Sequence, residues 1–219
     1  MATYEPNIAA GDPPSVRELA DLRIAKVSVS SMDNNAYVLT DRATGNQLLI
    51  DAADNAPVLL DLIGEGGLAS VVTTHQHWDH HRALREVLTA TGARSYAGAP
   101  DADALPAPAD VRLEHGDIIK FGASALEVIR LTGHTPGSVA LLYRDPAGHP
   151  HLFSGDSLFP GGVGNTTMPG QSFTSLYADV VARVFDVLPD DTWVYPGHGT
   201  DTTVGAERPH LQEWRDRGW

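Results

Sequence analysis

The chain has 219 residues, 42% of them apolar and 20% charged, with 28 acidic side chains against 15 basic ones and no cysteine. That length supports one sizeable core. The net charge of −13 argues against nucleic acid or an anionic membrane as partner, and the lack of cysteine excludes disulfides, thiolate metal ligands and a cysteine nucleophile.

No unbroken apolar run of about 18 residues is present to span a membrane. The N-terminus lacks the basic flank and apolar segment of a cleavable leader, so the expected compartment is the cytoplasm. Residues 1–20 are polar and broken by Pro6, Pro13 and Pro14, and are expected to form an N-terminal arm; residues 21–219 are expected to form a single domain. Leu22, Ile24, Val27 and Val29 roughly alternate, as in a strand. Asp33-Asn34-Asn35 reads as a turn, and 36–40 with 47–51 as a hairpin around Thr44-Gly45-Asn46. Residues 57–65 have helical apolar spacing and stop at Gly66-Gly67. A short apolar strand over 68–74 runs straight into His75, 81–91 is predicted helical up to Gly92, and 94–97 is a short strand.

The second half repeats this rhythm. Two β stretches flank Phe121-Gly122, and the second ends over 126–131. After the loop 132–137 come strands at 139–143 and 151–154, a glycine-rich loop over 160–170, a helix over 173–188 built on Leu176, Val180, Val184 and Val187, and a strand at 193–195. Hairpin strands followed by strand–helix units, twice over, predict two sheets with helices outside.

His75, His77, Asp79, His80, His134, Asp156 and His198 each fall just beyond the end of a predicted strand. Loops at one edge of a rigid scaffold are a usual home for sites. Residues two apart on an extended chain point the same way, so His75 and His77 can meet one ion; Asp79 and His80, after the chain turns, can meet a neighbour. Five imidazoles and two carboxylates are too many for one tetrahedral ion and suit two, about 3.5–4 Å apart. The donors fit zinc best, with iron or manganese also compatible. The expected arrangement puts His75, His77 and His134 on the first ion, Asp79, His80 and His198 on the second, and Asp156 between them. The expected chemistry is attack of a metal-bridging hydroxide on an activated carbonyl, with Asp79 also orienting the nucleophile. Asp51, at a strand end, is a candidate to hold a ligand imidazole in place. Phe159, Asn165 and Met168, on or beside the glycine-rich loop, are candidates for substrate contact.

The segments 73–80 (Thr-Thr-His-Gln-His-Trp-Asp-His), 133–138 (Gly-His-Thr-Pro-Gly-Ser), 154–159 (Ser-Gly-Asp-Ser-Leu-Phe) and 195–199 (Tyr-Pro-Gly-His-Gly) resemble the metal motifs of the metallo-β-lactamase superfamily. Within it they are most similar to the glyoxalase II-like branch, the short single-domain hydroxyacylglutathione hydrolase-like proteins. The resemblance implies an α+β fold, an αββα sandwich of two mixed β-sheets flanked by helices, with a dinuclear site at one edge. It also implies the same seven ligands and a small thioester or ester as substrate. Two features depart from the pattern. Asn165 stands where relatives carry Lys or Arg, and the two lysines, Lys26 and Lys120, both fall in the β framework. Without basic anchors, S-lactoylglutathione is a poor expectation, while a thioester or another activated ester is retained. A lactonase with the same centre and a mono-iron persulfide dioxygenase are the alternatives.

Overall fold

The computed structural model describes residues 4–218. The first sheet has seven strands in sequence order: β1 (Ser15–Glu18), β2 (Leu22–Ser28), β3 (Asn35–Asp41), β4 (Gln47–Ile50), β5 (Ser70–Thr73), β6 (Arg94–Gly98) and β7 (Val111–Leu113). β1 to β4 pair antiparallel and β4 to β7 pair parallel. The second sheet is built from β8 (Ile118–Phe121), β9 (Ser124–Arg130), β10 (Val139–Arg144) and β11 (Pro150–Gly155), followed in the chain by a separate ribbon of β12 (Leu158–Phe159) and β13 (Gly162–Val163), then β14 (Trp193–Pro196) and β15 (Thr202–Thr203). Its order is β15-β14-β11-β10-β9-β8, with β11 and β14 parallel and the other neighbours antiparallel. Both sheets are therefore mixed.

Side-chain alternation explains the layering. Tyr37 and Leu39 of β3, and Val139, Leu141 and Tyr143 of β10, enter the layer between the sheets. Ala36 and Val38 face the first pair of helices, α1 (Ala56–Ile63) and α2 (Leu84–Thr91), meeting Leu59, Ile63, Leu84 and Val87. Ala140 and Leu142 face the other side, where Leu176 and Val180 of α3 (Phe173–Val180) pack with Trp214 of α5 (Leu211–Arg217); the short α4 (Val204–Glu207) precedes α5. Strands covered on both faces read as nearly continuous apolar runs. Each fully buried Leu or Val side chain contributes roughly 1.5–3 kcal/mol through removal from water. No helix among the described residues is long and apolar enough to cross a membrane.

Three local features differ from the sequence reading. The stretch expected as an arm carries β1, an edge strand paired to β2, with Val16 packed on the helix-side core. An edge strand keeps one side to solvent, so its polar composition hid it. The helix expected from His81 begins at Leu84, because Trp78–His80 forms a tight 3-10 turn first. The helix expected over 173–188 changes to a π turn, Val181–Phe185. The wider turn shifts the apolar phase, and Val187, expected on the buried face, is 61% exposed.

Candidate metal centre

The ends of β5, β9, β11 and β14 open on the same edge of the sandwich and carry the predicted residues. β5 delivers His75 and His77, and the 3-10 turn after it delivers Asp79 and His80. The loop after β9 brings His134, β11 leads to Asp156, and β14 to His198. Two glycines make the convergence possible. A Cβ on Gly197 would stand 2.2 Å from Asp156 Oδ1 and 2.7 Å from His80 Cε1. Gly133, at φ 144°, lets its loop lie against Ser172 and Leu176 at the start of α3.

Ligand-type atoms gather in three overlapping groups, each within 4.8 Å: His75, His77 and His134; His75, His80 and Asp156; Asp79, His80 and His198. His75 Nε2 lies 3.1 Å from His77 Nδ1, and His80 Nε2 lies 3.1 Å from His198 Nε2. Two imidazole nitrogens on one tetrahedral ion stand about 3.3 Å apart, given bonds of 2.0–2.1 Å. Asp156 sits between the groups: its Oδ2 is 3.6 Å from His134 Nε2 and 3.5 Å from His198 Nε2, and its Oδ1 is 3.4 Å from His80 Nε2. His134 Nε2 and Asp156 Oδ1 are buried without a hydrogen-bond partner among the described residues. Buried polar atoms rarely stay unpaired, and these two face the shared space. The residues fit a group of cations.

Four of the five rings are aimed by a partner on their other nitrogen. His80 Nδ1 lies 2.9 Å from Asp51 Oδ2, His134 Nδ1 2.7 Å from the Asn165 carbonyl, and His198 Nδ1 2.8 Å from the Met32 carbonyl. His75 Nδ1 lies 3.0 Å from Thr74 Oγ1, which itself donates to Asp51 Oδ2. The Thr74 oxygen is thus left to accept from His75. All four rings then carry a proton on Nδ1 and turn Nε2 to the centre, the nitrogen that an ion would take. His77 is the exception and presents Nδ1. Asp51 also accepts from the Thr74 backbone N–H and holds a left-handed backbone, φ 57°. Strain of this kind at a non-glycine residue gathers at functional sites.

The electrostatics call for positive charge. Burial lowers His75 well below the ordinary imidazole range, and the neighbouring His80, His134 and His77 add to this. Burial works against protonation of His80 as well, but Asp156 and Asp51 overcome it and hold that ring well above its usual value. His198 follows the same pattern: burial pulls down, and Asp156 with Asp79 carries it up to about 10. Burial would raise Asp79, yet His198, His80 and Asn34 keep its carboxyl well below the usual range. Asp156 is held low against burial by His80, His198 and His75. Without ions, protons on His80 and His198 supply the cationic charge.

The centre floors a cleft of about 480 Å³ whose walls include Met32, Phe159, Val163 and Asn165. Asn165 meets the centre through its backbone carbonyl, while its side-chain Oδ1 accepts from Thr167. Met168, the third expected contact, is not among the lining residues and is 53% exposed, because its loop turns outward with the Met168 N–H donating to Gln171 Oε1. A larger hollow of about 790 Å³ beside Ile8, Val16 and Arg42 holds none of the seven candidate ligands.

The sequence reading missed three residues. Asn34 is fully buried and donates from Nδ2 to Asp79 Oδ2 at 3.0 Å. Asp101 and Lys26, also fully buried, tie the loops that carry the ligands. Asp33-Asn34-Asn35 reads as an ordinary turn, and nothing in its own composition marks Asn34 as buried.

The sequence matches the family model of the metallo-beta-lactamase superfamily over residues 32–198, and the chain belongs to that superfamily. A hydroxyacylglutathione hydrolase of Fuscovulum blasticum is 38% identical over 169 residues, which cover 76% of this chain and only 62% of that relative's length. Among solved structures, BLEG-1 B3 metallo-beta-lactamase is similar with a TM-score of 0.78 and 26% identity, over 86% of this chain and 97% of its own. TTHA1623 in a di-iron-bound form is similar with a TM-score of 0.71 and 32% identity, over 84% of this chain and 96% of its own.

Proposed function

We propose that the protein is a metal-dependent hydrolase that cleaves a small thioester, with a dinuclear centre in which His75, His77 and His134 would hold one ion, Asp79, His80 and His198 the other, and Asp156 both. The observation that carries this reading is the position of Asp156, whose carboxylate lies within 3.6 Å of ring nitrogens from each set. Two divalent ions bound there would supply Lewis acidity toward a carbonyl and lower the pKa of water toward about 7. Nitrogen and carboxylate donors without sulfur suit zinc, and also iron or manganese; the similarity to a structure in a di-iron-bound form keeps iron in view.

The chain's own groups supply orientation. Asn34 fixes Oδ2 of Asp79, so this carboxylate keeps one orientation at the centre and can align a water. Asp51, Thr74 and the carbonyls of Asn165 and Met32 keep the rings from rotating. Met32, Phe159 and Val163 line the cleft with apolar surface that can seat the substrate and thin the surrounding water. Among the described residues no Lys or Arg lines that cleft, so the substrate we favour is a thioester or activated ester whose binding does not depend on pairing several carboxylates. The name of the Fuscovulum blasticum relative makes a hydroxyacylglutathione the substrate to test against this.

The test is metal analysis coupled to a panel of thioesters, lactones and persulfides. The expected result is close to two ions per chain and cleavage of thioesters. One iron per chain, with oxygen consumed in the presence of a persulfide, would overturn the hydrolase reading.

A further inference from the structure

Two braces that share no residue fasten the ligand loops: one joins the loops of His75, His77 and His134, and the other holds the loop of His198, while Asp79 and His80 follow His77 in the same turn. Asp101, fully buried just after β6, joins the two loops of the first set. Its Oδ2 accepts from the Gln76 backbone N–H at 3.0 Å and from Thr135 Oγ1 at 2.5 Å, and its Oδ1 accepts from the Gly137 N–H at 2.7 Å. Segment 75–77 is thereby pinned to segment 134–137. The approach is so close that a Cβ on Gly137 would lie 2.6 Å from the Asp101 backbone nitrogen.

The second brace lies across the sandwich. Lys26 of β2 is fully buried, and its ammonium donates to the Pro6 carbonyl at 2.7 Å, the Gly199 carbonyl at 2.8 Å and Asp201 Oδ1 at 2.7 Å. Asp201 Oδ2 accepts from Tyr4 Oη at 2.7 Å and Trp193 Nε1 at 2.9 Å. The segment between Pro196 and Asp201, with His198 in its middle, is thus held to β2 and to the N-terminal residues. Asn35 reinforces it by donating to the carbonyls of Pro196 and Gly199.

A buried ion pair adds little net stability over an apolar pair of the same size, and its best-attested use is to fix geometry. Here all three ammonium hydrogens are used, and two of the three partners, Gly199 and Asp201, belong to the loop that carries His198. We propose that Asp101 is a positioning residue for the His75, His77 and His134 subsite, and that Lys26, through Asp201 and Gly199, is a positioning residue for the Asp79, His80 and His198 subsite. Each brace then sets the ion affinity of its own subsite. This inference rests on the two-ion reading above.

The experiment isolates each subsite and titrates metal-free protein with zinc against a chromophoric chelator. In a His198→Ala background, which leaves the first set intact, Asp101→Asn should weaken zinc binding about 10–100-fold. In that background the paired variant Lys26→Met/Asp201→Asn should change it within about twofold, as independent sites do. In a His77→Ala background the two effects should exchange. The paired variant removes both charges together so that neither is left buried alone. Tyr4→Phe, which takes a single hydroxyl from Asp201, should show a smaller loss in the His77→Ala background only, and it decides the question if the paired variant does not fold. Equal weakening by both braces in both backgrounds, or no weakening in either, would overturn the assignment while leaving a two-ion wild type intact. A wild type that takes up a single equivalent would overturn the two-ion reading, and the inference with it.

Discussion

Asp51→Asn isolates what the charge on one buried carboxylate does. Asp51 accepts from three donors: the Thr74 N–H at 2.7 Å on Oδ1, and Thr74 Oγ1 at 2.8 Å and His80 Nδ1 at 2.9 Å on Oδ2. An amide has one acceptor oxygen, so neither orientation of Asn satisfies all three. With the NH₂ group toward His80, that ring must accept on Nδ1 and move its proton to Nε2, the atom 3.1 Å from His198 Nε2. The Nε2 lone pair would then be lost to an ion. With the amide reversed, the Thr74 N–H faces a donor, at a cost of about 1–3 kcal/mol. Partners of this kind typically govern metal affinity by about 10–100-fold, or roughly 1.4–2.7 kcal/mol. Asn also tolerates the left-handed backbone at φ 57°, so backbone strain does not confuse the comparison as it would in Asp51→Ala. Zinc competition with a chelator should show that loss, with the proposed hydrolase activity falling in parallel. The melting temperature of the metal-free protein should move by only a few degrees. A variant with wild-type zinc affinity and activity would refute the claim that Asp51 sets the tautomer of His80.

Gly197→Ala should leave the protein unable to hold its full complement of ions, since the added methyl group would stand 2.2 Å from Asp156 Oδ1; metal content after dialysis checks this, and a full complement refutes it. Loading the metal-free protein should release protons, because His80 and His198, the latter carried up to about 10, must give theirs up to act as ligands. Zinc affinity should therefore rise with pH through the neutral range, and calorimetry in buffers of different ionisation enthalpy should detect the released protons; affinity independent of pH would contradict this. His151 is a different case, fully buried on β11 with its pKa pushed down to about 3, first by burial and then by nearby His149 and Arg17. The unfolded chain takes up a proton below about 6.5 and the folded chain resists until near 3, so stability falls with pH across that window by up to about 1.4 kcal/mol per unit. In metal-free protein, His151→Gln should flatten the decline in melting temperature between about pH 6.5 and 4.5, and an unchanged slope would remove His151 from the account.

The convergence of the candidate ligands on one sheet edge was legible because the physics behind it is local. An apolar run that ends in His-x-His marks a buried strand reaching an edge, and the same signal recurs before His134, Asp156 and His198. The two-sided alternation of Tyr37 and Leu39 against Ala36 and Val38 is likewise written within a few residues. What escaped is written across long separations. A lysine in a strand reads as solvent-facing until its partner is known, and Asp201 lies 175 residues from Lys26. Asp101, in an Asp-Ala-Asp-Ala stretch, has the composition of a surface loop, yet three donors from two distant loops converge on it. His151, beside Pro150, looks like a turn residue, but β11 pairs with both β10 and β14 and buries it. Edge strand β1 and the π turn after α3 depend on what packs against them, which no single window contains.

The chain has no cysteine and so no disulfide. The candidate centre offers something comparable. His75, His77, Asp79 and His80 leave the first sheet, while His134, Asp156 and His198 leave the second. Ions shared between them would rivet the open edge of the sandwich and close loops of tens of residues, much as a staple joins two leaves. The entropy removed from an unfolded chain by such closures grows only slowly with loop length but is already substantial at this scale. The same atoms that would perform the chemistry would then also keep the two halves in register, and stripping the ions should let the sheets part at the catalytic edge first.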